Sequence, residues 1–499
     1  MILSPARLRA LLTALLLVSL LGALDHTIVA SSLATVAGEL GGLEQMSWMI
    51  VAYTLASTVA MPVFGRLGDL YGRRGLFLTS LAVFLVGSVL CGFTQDMTQL
   101  AGARVFQGIG GAGVQLLSQT IIADVVAPRQ RAKYQGIIGA AFPIAIVIGP
   151  LAGGLITDSV GWRWIFWVNA PLGLLALLLA VRNIPKTGRS AAAGTFDVPG
   201  AVLLGIATTG LVLAVTWGGS LLSWTSPALL AIVAVTVLSS IAFFVVEARA
   251  EHPLVPLGIF RSRVVVIATI LASVVGIGLF SVVSYLPAYI QMMYRTTATV
   301  AGLVPVASVL GMLVTSLLSG FVVARSGRYR IFPILGTAAG AAGLAGMSLI
   351  TDHVPLWLPM GLMAVVGLGT GAFMQLVVVI VQGVTDQSAL GAVTSAVNVV
   401  RQIGSTVATA VVGGVFALRL VEGLPGTVDA RTLTPNLLHT LPSATQAQVA
   451  DAYSSAMSPI FLALAAVYAV GFVAALLLPH TELSNELQHT PAESEALSI

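Results

Sequence analysis

Fourteen apolar segments, each long enough to cross a bilayer, run along this 499-residue chain, separated by short charged or Gly/Pro turns. At about 20 residues per membrane helix, fourteen helices need about 280 mainly apolar positions. The sequence supplies them, being 57 % apolar and only 8 % charged. A soluble domain is about 25 % charged, so this chain cannot cover a water-facing surface in the usual way. Its mean hydropathy of +0.99 agrees. A soluble enzyme, a disulfide scaffold and a disordered chain are excluded. Cys91 is the only cysteine, so no intrachain bridge can form. The fold expected is all-α and integral to the membrane.

The segments fall at about 10–32, 47–65, 76–94, 99–122, 134–156, 163–181, 198–217, 226–246, 264–290, 300–322, 331–350, 356–378, 390–416 and 458–479. The first is interrupted by Asp25 and has no small-residue cleavage site, so it reads as a retained helix, not a signal peptide. The seventh and eighth form a short hairpin between two groups of six. Residues 1–190 then make an N-terminal six-helix bundle, 191–250 the inserted hairpin, and 251–480 a C-terminal six-helix bundle. That second bundle carries a polar outside loop at about 417–457, and 481–499 is an acidic, solvated cytoplasmic tail. Orientation follows from the loops. Seventeen of the 23 Lys and Arg fall in loops on one side and four on the other, which places both termini in the cytoplasm. Arg104 and Arg401 lie inside spans. The net charge of +4 does not signal nucleic acid, because the basic residues are spread over many loops.

An internal repeat is visible. Gly65-Arg-Leu-Gly-Asp69-Leu-Tyr-Gly72-Arg73-Arg74 follows the second span, and Gly320-Phe-Val-Val-Ala324-Arg-Ser-Gly327-Arg328 follows the tenth. A shift of 255 positions aligns Gly65 with Gly320, Gly72 with Gly327 and Arg73 with Arg328, while Asp69 meets Ala324. Gly108 and Gly110 match Gly367 and Gly369 at a shift of 259. Two related six-helix halves are the layout of a rocking transporter whose binding site lies between them near the bilayer midplane.

The Gly65–Arg74 loop resembles the signature loop of the major facilitator superfamily. Leu100-Ala-Gly-Ala-Arg104-Val-Phe-Gln107-Gly108 resembles the fourth-helix motif of its drug exporters. Ile148-Gly149-Pro150-Leu-Ala-Gly153-Gly154 is similar to its antiporter motif. Leu24-Asp25-His26-Thr27-Ile28-Val29 and Pro253 to Arg261 resemble the 14-helix drug:proton antiporters of the EmrB/QacA type. The resemblance implies a proton-coupled antiporter in the cytoplasmic (inner) membrane. It would export amphipathic drugs or toxic compounds, antibiotics included, by alternating access. An exporter of an endogenous lipid or secondary metabolite remains the alternative. No cofactor is implied, since the proton gradient drives the cycle. A monomer is expected, with no nucleic-acid partner.

Asp25 is the only acid placed deep in a span, where an ionisable group costs several kcal/mol unless paired or wetted. Proton coupling through a carboxylate therefore points to Asp25; the plainer alternative is a fixed ion pair between helices. Arg104 lies within about a turn of the same depth at 1.5 Å per residue, so it is the expected partner, bonded to the Asp25 side chain or backbone. A structural Arg held by carbonyls is the other option. His26, about 100° round the helix from Asp25, either moves protons or is packed. Gly65, Asp69, Gly72, Arg73 and Asp124 read as a conformational latch, a role the family resemblance implies; the plainer reading makes the arginines topology anchors.

Gly149, Pro150, Gly153 and Gly154 read as an antiporter hinge. Pro150 would kink the fifth span and the glycines would admit a facing helix, plausible in the second half. Arg401 is the other costly charge, able to line a wet cavity, hold an anionic group or meet carbonyls. Gln107, Gln115, Phe142, Tyr285, Gln375, Asn398 and Arg401 make up the candidate substrate cavity, with Gln119, Phe106, Trp164, Tyr289 and Phe373 as further polar or aromatic contributors; for each glutamine and for Asn398 the plainer alternative is a bridge between helices. No nucleotide-binding, metalloprotease or serine-hydrolase motif occurs, so neither an ATP-driven pump nor an enzyme is expected, and no metal site.

Overall fold

Residues 4–41, 45–185, 195–219, 221–426, 428 and 433–486 are described by the structure, a computed structural model. Among them the regular elements are all helices. The N-terminal bundle comprises α1 (Pro5–Leu40), α2 (Trp48–Tyr71), α3 (Arg73–Phe93), α4 (Met97–Val125), α5 (Pro128–Val160) and α6 (Trp164–Asn183). The hairpin is α7 (Val198–Trp217) and α8 (Pro227–Arg249). The C-terminal bundle comprises α9 (Arg263–Met293), α10 (Ala298–Ser326), α11 (Ile331–Met347), α12 (Trp357–Gly383), α13 (Leu390–Gly423) and α14 (Ser443–Leu476). Twelve helices among the described residues are long and apolar enough to cross a membrane. The two that complete the series are α4, 29 residues long but diluted by Arg104, Gln107, Gln115 and Gln119, and α11, of 17 residues.

Several helices start where an oxygen caps their first free N–H groups. Ser4 accepts from Arg7, Asp96 from Gln99, Asp197 from Gly200 and Thr297 from Val300. Gly72 and Gly327, the aligned glycines of the repeat, end α2 and α10 with φ of +90° and +75°, a left-handed region that favours glycine. The second glycine pair makes the same use of missing side chains. A Cβ on Gly108 would meet the Tyr53 backbone of α2, and one on Gly110 the Phe84 backbone of α3. In the other half, Gly367 abuts the Ser308 backbone of α10 and Gly369 the Gly336 carbonyl of α11. The halves are therefore built alike, each around a helix that presses bare backbone onto two neighbours.

Four expectations need correcting. First, the outside loop at about 417–457 is mostly helix: α13 runs to Gly423, a short helix covers Pro435–Thr440, and α14 begins at Ser443. Apolar windows detect only the part of a helix in hydrocarbon, and these helices project beyond it. Leu438, Val449, Tyr453 and Met457 anchor the projection in the second-half core. Second, the fifth span, expected as one helix, is interrupted at Ala140, and its second part is continuous through Pro150. Pro143 has no N–H to offer the Gly139 carbonyl, so the ladder fails one turn before it. Third, the glycines of α5 meet α1, not the second half. A Cβ on Gly149 would strike Thr27, one on Gly153 would strike Ser31 and Ile28, and one on Gly154 would meet nothing. Fourth, the start of the acidic tail is not free. Leu483 N–H donates to Gly327 O at 3.0 Å, Arg129 N–H donates to Ser484 O at 2.9 Å, and Glu482 pairs with Arg328. Glu44, Lys186, Arg189, Arg431, the 190/191 boundary and the tail beyond 486 lie outside the described residues.

The hairpin flanks the junction of the halves. Leu203 and Leu204 of α7 and Phe243 of α8 pack with Ala396 of α13, and Trp217 meets Trp48 of α2 edge-on at 6.0 Å. Its other helix, α8, presents Leu230, Leu238, Ile241 and Phe244 outward, an apolar face suited to lipid.

Candidate functional site

Asp25 and Arg104 are each 1 % exposed, and α1 and α4 bring them together inside the first bundle. Arg104 Nη1 donates to Asp25 Oδ2 at 2.6 Å and to Gln107 Oε1 at 2.7 Å, while Nε donates to the Met49 carbonyl at 3.0 Å. The other carboxylate oxygen, Asp25 Oδ1, accepts from Gln107 Nε2 at 2.9 Å and from Asn169 Nδ2 at 3.2 Å. Asn169 is itself held by the Ser88 hydroxyl at 2.9 Å. The Arg104 guanidinium lies 4.4 Å from the Tyr53 ring centroid and 5.8 Å from that of Phe166. Each charge is thus compensated, which is what a buried pair requires, since an uncompensated one costs several kcal/mol.

The expected Asp25–Arg104 contact is present, through the side chains. Of its two expected places Gln107 takes the bridge: it faces Asp25 within the bundle instead of lining a substrate cavity, because residues three apart on α4 share a face. Asn169 and Ser88 were not anticipated. His26 is half-buried, 5.7 Å from Tyr53 edge-on and 3.4 Å from the Thr54 hydroxyl, so it is adjacent to the pair without touching it. Helix α1 is fastened to α5 by Thr27, whose hydroxyl donates to the Ala145 carbonyl at 2.9 Å, and by the Ser32–Thr157 hydroxyl contact at 2.8 Å.

A second constellation joins the halves at the end bearing the arginine-rich loops, called the basic end below. Arg73 bonds Asp69 Oδ1 at 2.8 Å, pairs with Asp124, and donates to the Thr120 carbonyl at 3.3 Å. Across the junction it donates to the Gln387 carbonyl at 3.2 Å. Asp69 accepts from the Gly391 and Ala392 N–H groups, both at 3.0 Å. A carboxylate at the start of α13 satisfies free N–H groups and meets the positive end of the helix dipole. The contact needs two bare backbones: a Cβ on Gly65 would lie 2.6 Å from the Gly391 carbonyl. Gly72 supplies the left-handed turn that brings Arg73 back toward Asp69. Beside this, Arg131 Nη1 donates to the Gln382 carbonyl at 3.0 Å, and Arg129 bonds the Ala324 and Arg325 carbonyls. The expected latch residues are therefore assembled, and they clasp α13.

The remaining cavity candidates are only partly brought together. Asn398 Nδ2 donates to Gln119 Oε1 of the first half at 2.8 Å, and Arg401 Nη2 donates to Asn398 Oδ1 at 2.7 Å. Gln115 is exposed although its α4 neighbours are buried. Phe142 meets Phe280 across the halves at 5.6 Å, and the Gln375 side chain fills the space beside Gly139. Tyr285 stays within its own half, its hydroxyl donating to the Thr409 carbonyl at 3.0 Å. Phe106 and Trp164 are exposed, while Tyr289 and Phe373 are packed in the second-half core. Gln119 was a secondary candidate by sequence; its place as a bridge between halves was not legible.

Two helical bundles of like construction, a hairpin at their junction and a charge pair buried in hydrocarbon define a multi-pass membrane carrier. The sequence model described as Major Facilitator Superfamily matches residues 15–409. The chain is 36 % identical over 491 residues to an uncharacterized MFS-type transporter of Mycobacterium tuberculosis, covering 97 % of this chain and 71 % of that one. It is 31 % identical over 467 residues to Multidrug resistance protein 3 of Bacillus subtilis, covering 90 % of each. The solved proton:xylose symporter XylE matches with a TM-score of 0.62 at 14 % identity, over 99 % of this chain and 100 % of that one, a likeness of fold alone. The chain belongs to the Major Facilitator Superfamily, and is a transporter and not an enzyme.

Proposed function

We propose that this protein is a proton-coupled antiporter that exports amphipathic compounds by alternating access. It lies in the cytoplasmic membrane with both termini inside, and Asp25 is the group that carries the proton. The observation that carries the reading is the Asp25–Arg104 pair, enclosed in a span where a charge is costly. A proton delivered to Asp25 removes the counter-charge of Arg104, which keeps the Met49 carbonyl and Gln107 Oε1 as acceptors. The α1–α4 contact then weakens, and α1 is fastened to α5 through Thr27, Gly149 and Gly153. Helix α5 in turn meets α10 of the second half, where Gly136 abuts the Ser316 carbonyl and Gly320 the Ala132 carbonyl. Protonation in one bundle thus has a packed route to the junction.

With the basic end inside, the conformation described here is sealed toward the cytoplasm by the Asp69–α13 clasp. Export to the outside is supported by the 29 % identity to a Fusarium protein named an MFS-type efflux pump and by the Gly149–Gly154 motif. The cycle needs no cofactor. The test is ethidium efflux from proteoliposomes under an imposed pH gradient. Wild type is expected to pump and Asp25→Asn to lose about 10²-fold or more, as removal of a proton-transfer group typically does. Gradient-driven pumping by Asp25→Asn would refute coupling through this residue. If wild type ignores ethidium yet moves a membrane lipid, the cargo is an endogenous one.

A further inference from the structure

We infer that Arg401 is the anchor for an anionic group on the cargo, so that the preferred substrates are amphipathic carboxylates or sulfonates. The inference rests on the carrier reading above and names the substrate class of its central site.

Helix α13 is buried at every position from Leu390 to Val399, and every residue from Val400 to Ala410 is half-exposed. The change falls just beyond the Asn398–Gln119 hydrogen bond that ties the two halves. Arg401 lies three residues farther along, on that half-buried stretch. Gln115 of α4, exposed among buried neighbours, lies four residues from Gln119. A guanidinium and an amide facing lipid at mid-span would cost several kcal/mol, so both call for water or a polar ligand beside them.

Charge decides which ligand. Arg401 has five N–H donors and, among the described residues, gives one hydrogen bond, to Asn398 Oδ1. No carboxylate among the described residues lies within ion-pair distance of it. The one carboxylate deep in a span that could attract a cation, Asp25, is closed off by Arg104, Gln107 and Asn169. Arg401 thus offers an unspent positive charge with no free negative one beside it. A planar guanidinium fits carboxylate and sulfonate oxygens two at a time. The neighbourhood suits an amphipathic molecule. Gly276 brings the irregular turn of α9, Gly276–Phe280, against the Arg401 carbonyl, and Phe280 of that turn pairs with Phe142 of the other half. That turn packs on the α13 backbone at Arg401, and irregular turns of this kind are frequent at functional sites.

Two rhodamine dyes that differ at one ester test this: rhodamine 19, a free carboxylic acid, and rhodamine 6G, its ethyl ester. Binding to full-length protein in lipid nanodiscs is read by fluorescence anisotropy. Arg401→Gln is expected to weaken the acid about tenfold, the scale of one charge-assisted hydrogen bond, and to leave the ester within about twofold. Retained ester binding shows that the variant is folded. Arg401→Lys is expected to restore part of the preference. Equal loss of both dyes, no loss of either, or a wild-type preference for the ester would overturn the assignment. Ester efflux with and without a pH gradient tests the antiporter reading separately, because it does not depend on the carboxylate.

Discussion

At Asp25 both carboxylate oxygens are occupied, and this makes the two halves of its ion pair unequal under mutation. Arg104→Ala leaves a carboxylate enclosed by Gln107, Asn169 and aromatic rings without its cation. Breaking a buried pair in this way costs about 3–5 kcal/mol, and a large fall in Tm of the detergent-purified protein is expected. Asp25→Asn combined with Arg104→Gln removes both charges and keeps the hydrogen-bonding groups, so its Tm should recover most of that loss. A double variant as unstable as Arg104→Ala would show that the pair is not what holds α1 to α4. These two residues were legible in the sequence because charge in hydrocarbon is expensive and therefore conspicuous. Asn169 and Ser88 were not, since neutral amides and hydroxyls are tolerated in spans for many reasons. Gln107 was legible only as cavity or bridge, because a helix apolar on every side gives no sign of which side faces which neighbour.

Helix α5 separates residues that its motif presents as one group. Gly149 and Gly153 touch α1, whereas Gly154 has open space where a side chain would be. Gly149→Ala must displace Thr27, whose hydroxyl ties α1 to the Ala145 carbonyl, at a cost of about 1–3 kcal/mol for overpacking. Gly154→Ala should be neutral in stability and in efflux. Equal effects in a paired Tm and transport assay would mean that the motif does not act through the α1 contact. Spacing alone could not make this distinction. It identified a small-residue stripe, but which partner the stripe meets depends on the bundle, and the break at Ala140 depends on Pro143, outside the motif. The element boundaries beyond the hydrocarbon were similarly hidden, as the extension of α14 back to Ser443 illustrates, because its polar residues read as loop.

Across the whole molecule the two halves are repeats in packing but not in charge, and the difference marks where the seal is made. Asp69 clasps α13, while its counterpart Ala324 has only a carbonyl to offer, to Arg129. The sequence revealed that asymmetry as a lost acid without showing that the surviving acid reaches the other half. A rocking carrier must break the Asp69, Arg131 and Arg129 contacts together when its basic end opens. Asp69→Asn removes one charge from the start of α13 and from Arg73, so this end should open more often. In a Cys91→Ser background, the free thiol of Gln119→Cys should then react faster with a membrane-permeant maleimide. The reverse prediction locks the seal. The Lys133 ammonium lies 5.4 Å from the Phe321 ring centroid across the junction. Lys133→Cys with Phe321→Cys in the same background, bridged by a reducible bismaleimide, should lose efflux and regain it on reduction. Efflux that continues with the crosslink in place would mean that the halves do not part at this end during transport, and alternating access about this junction would have to be abandoned.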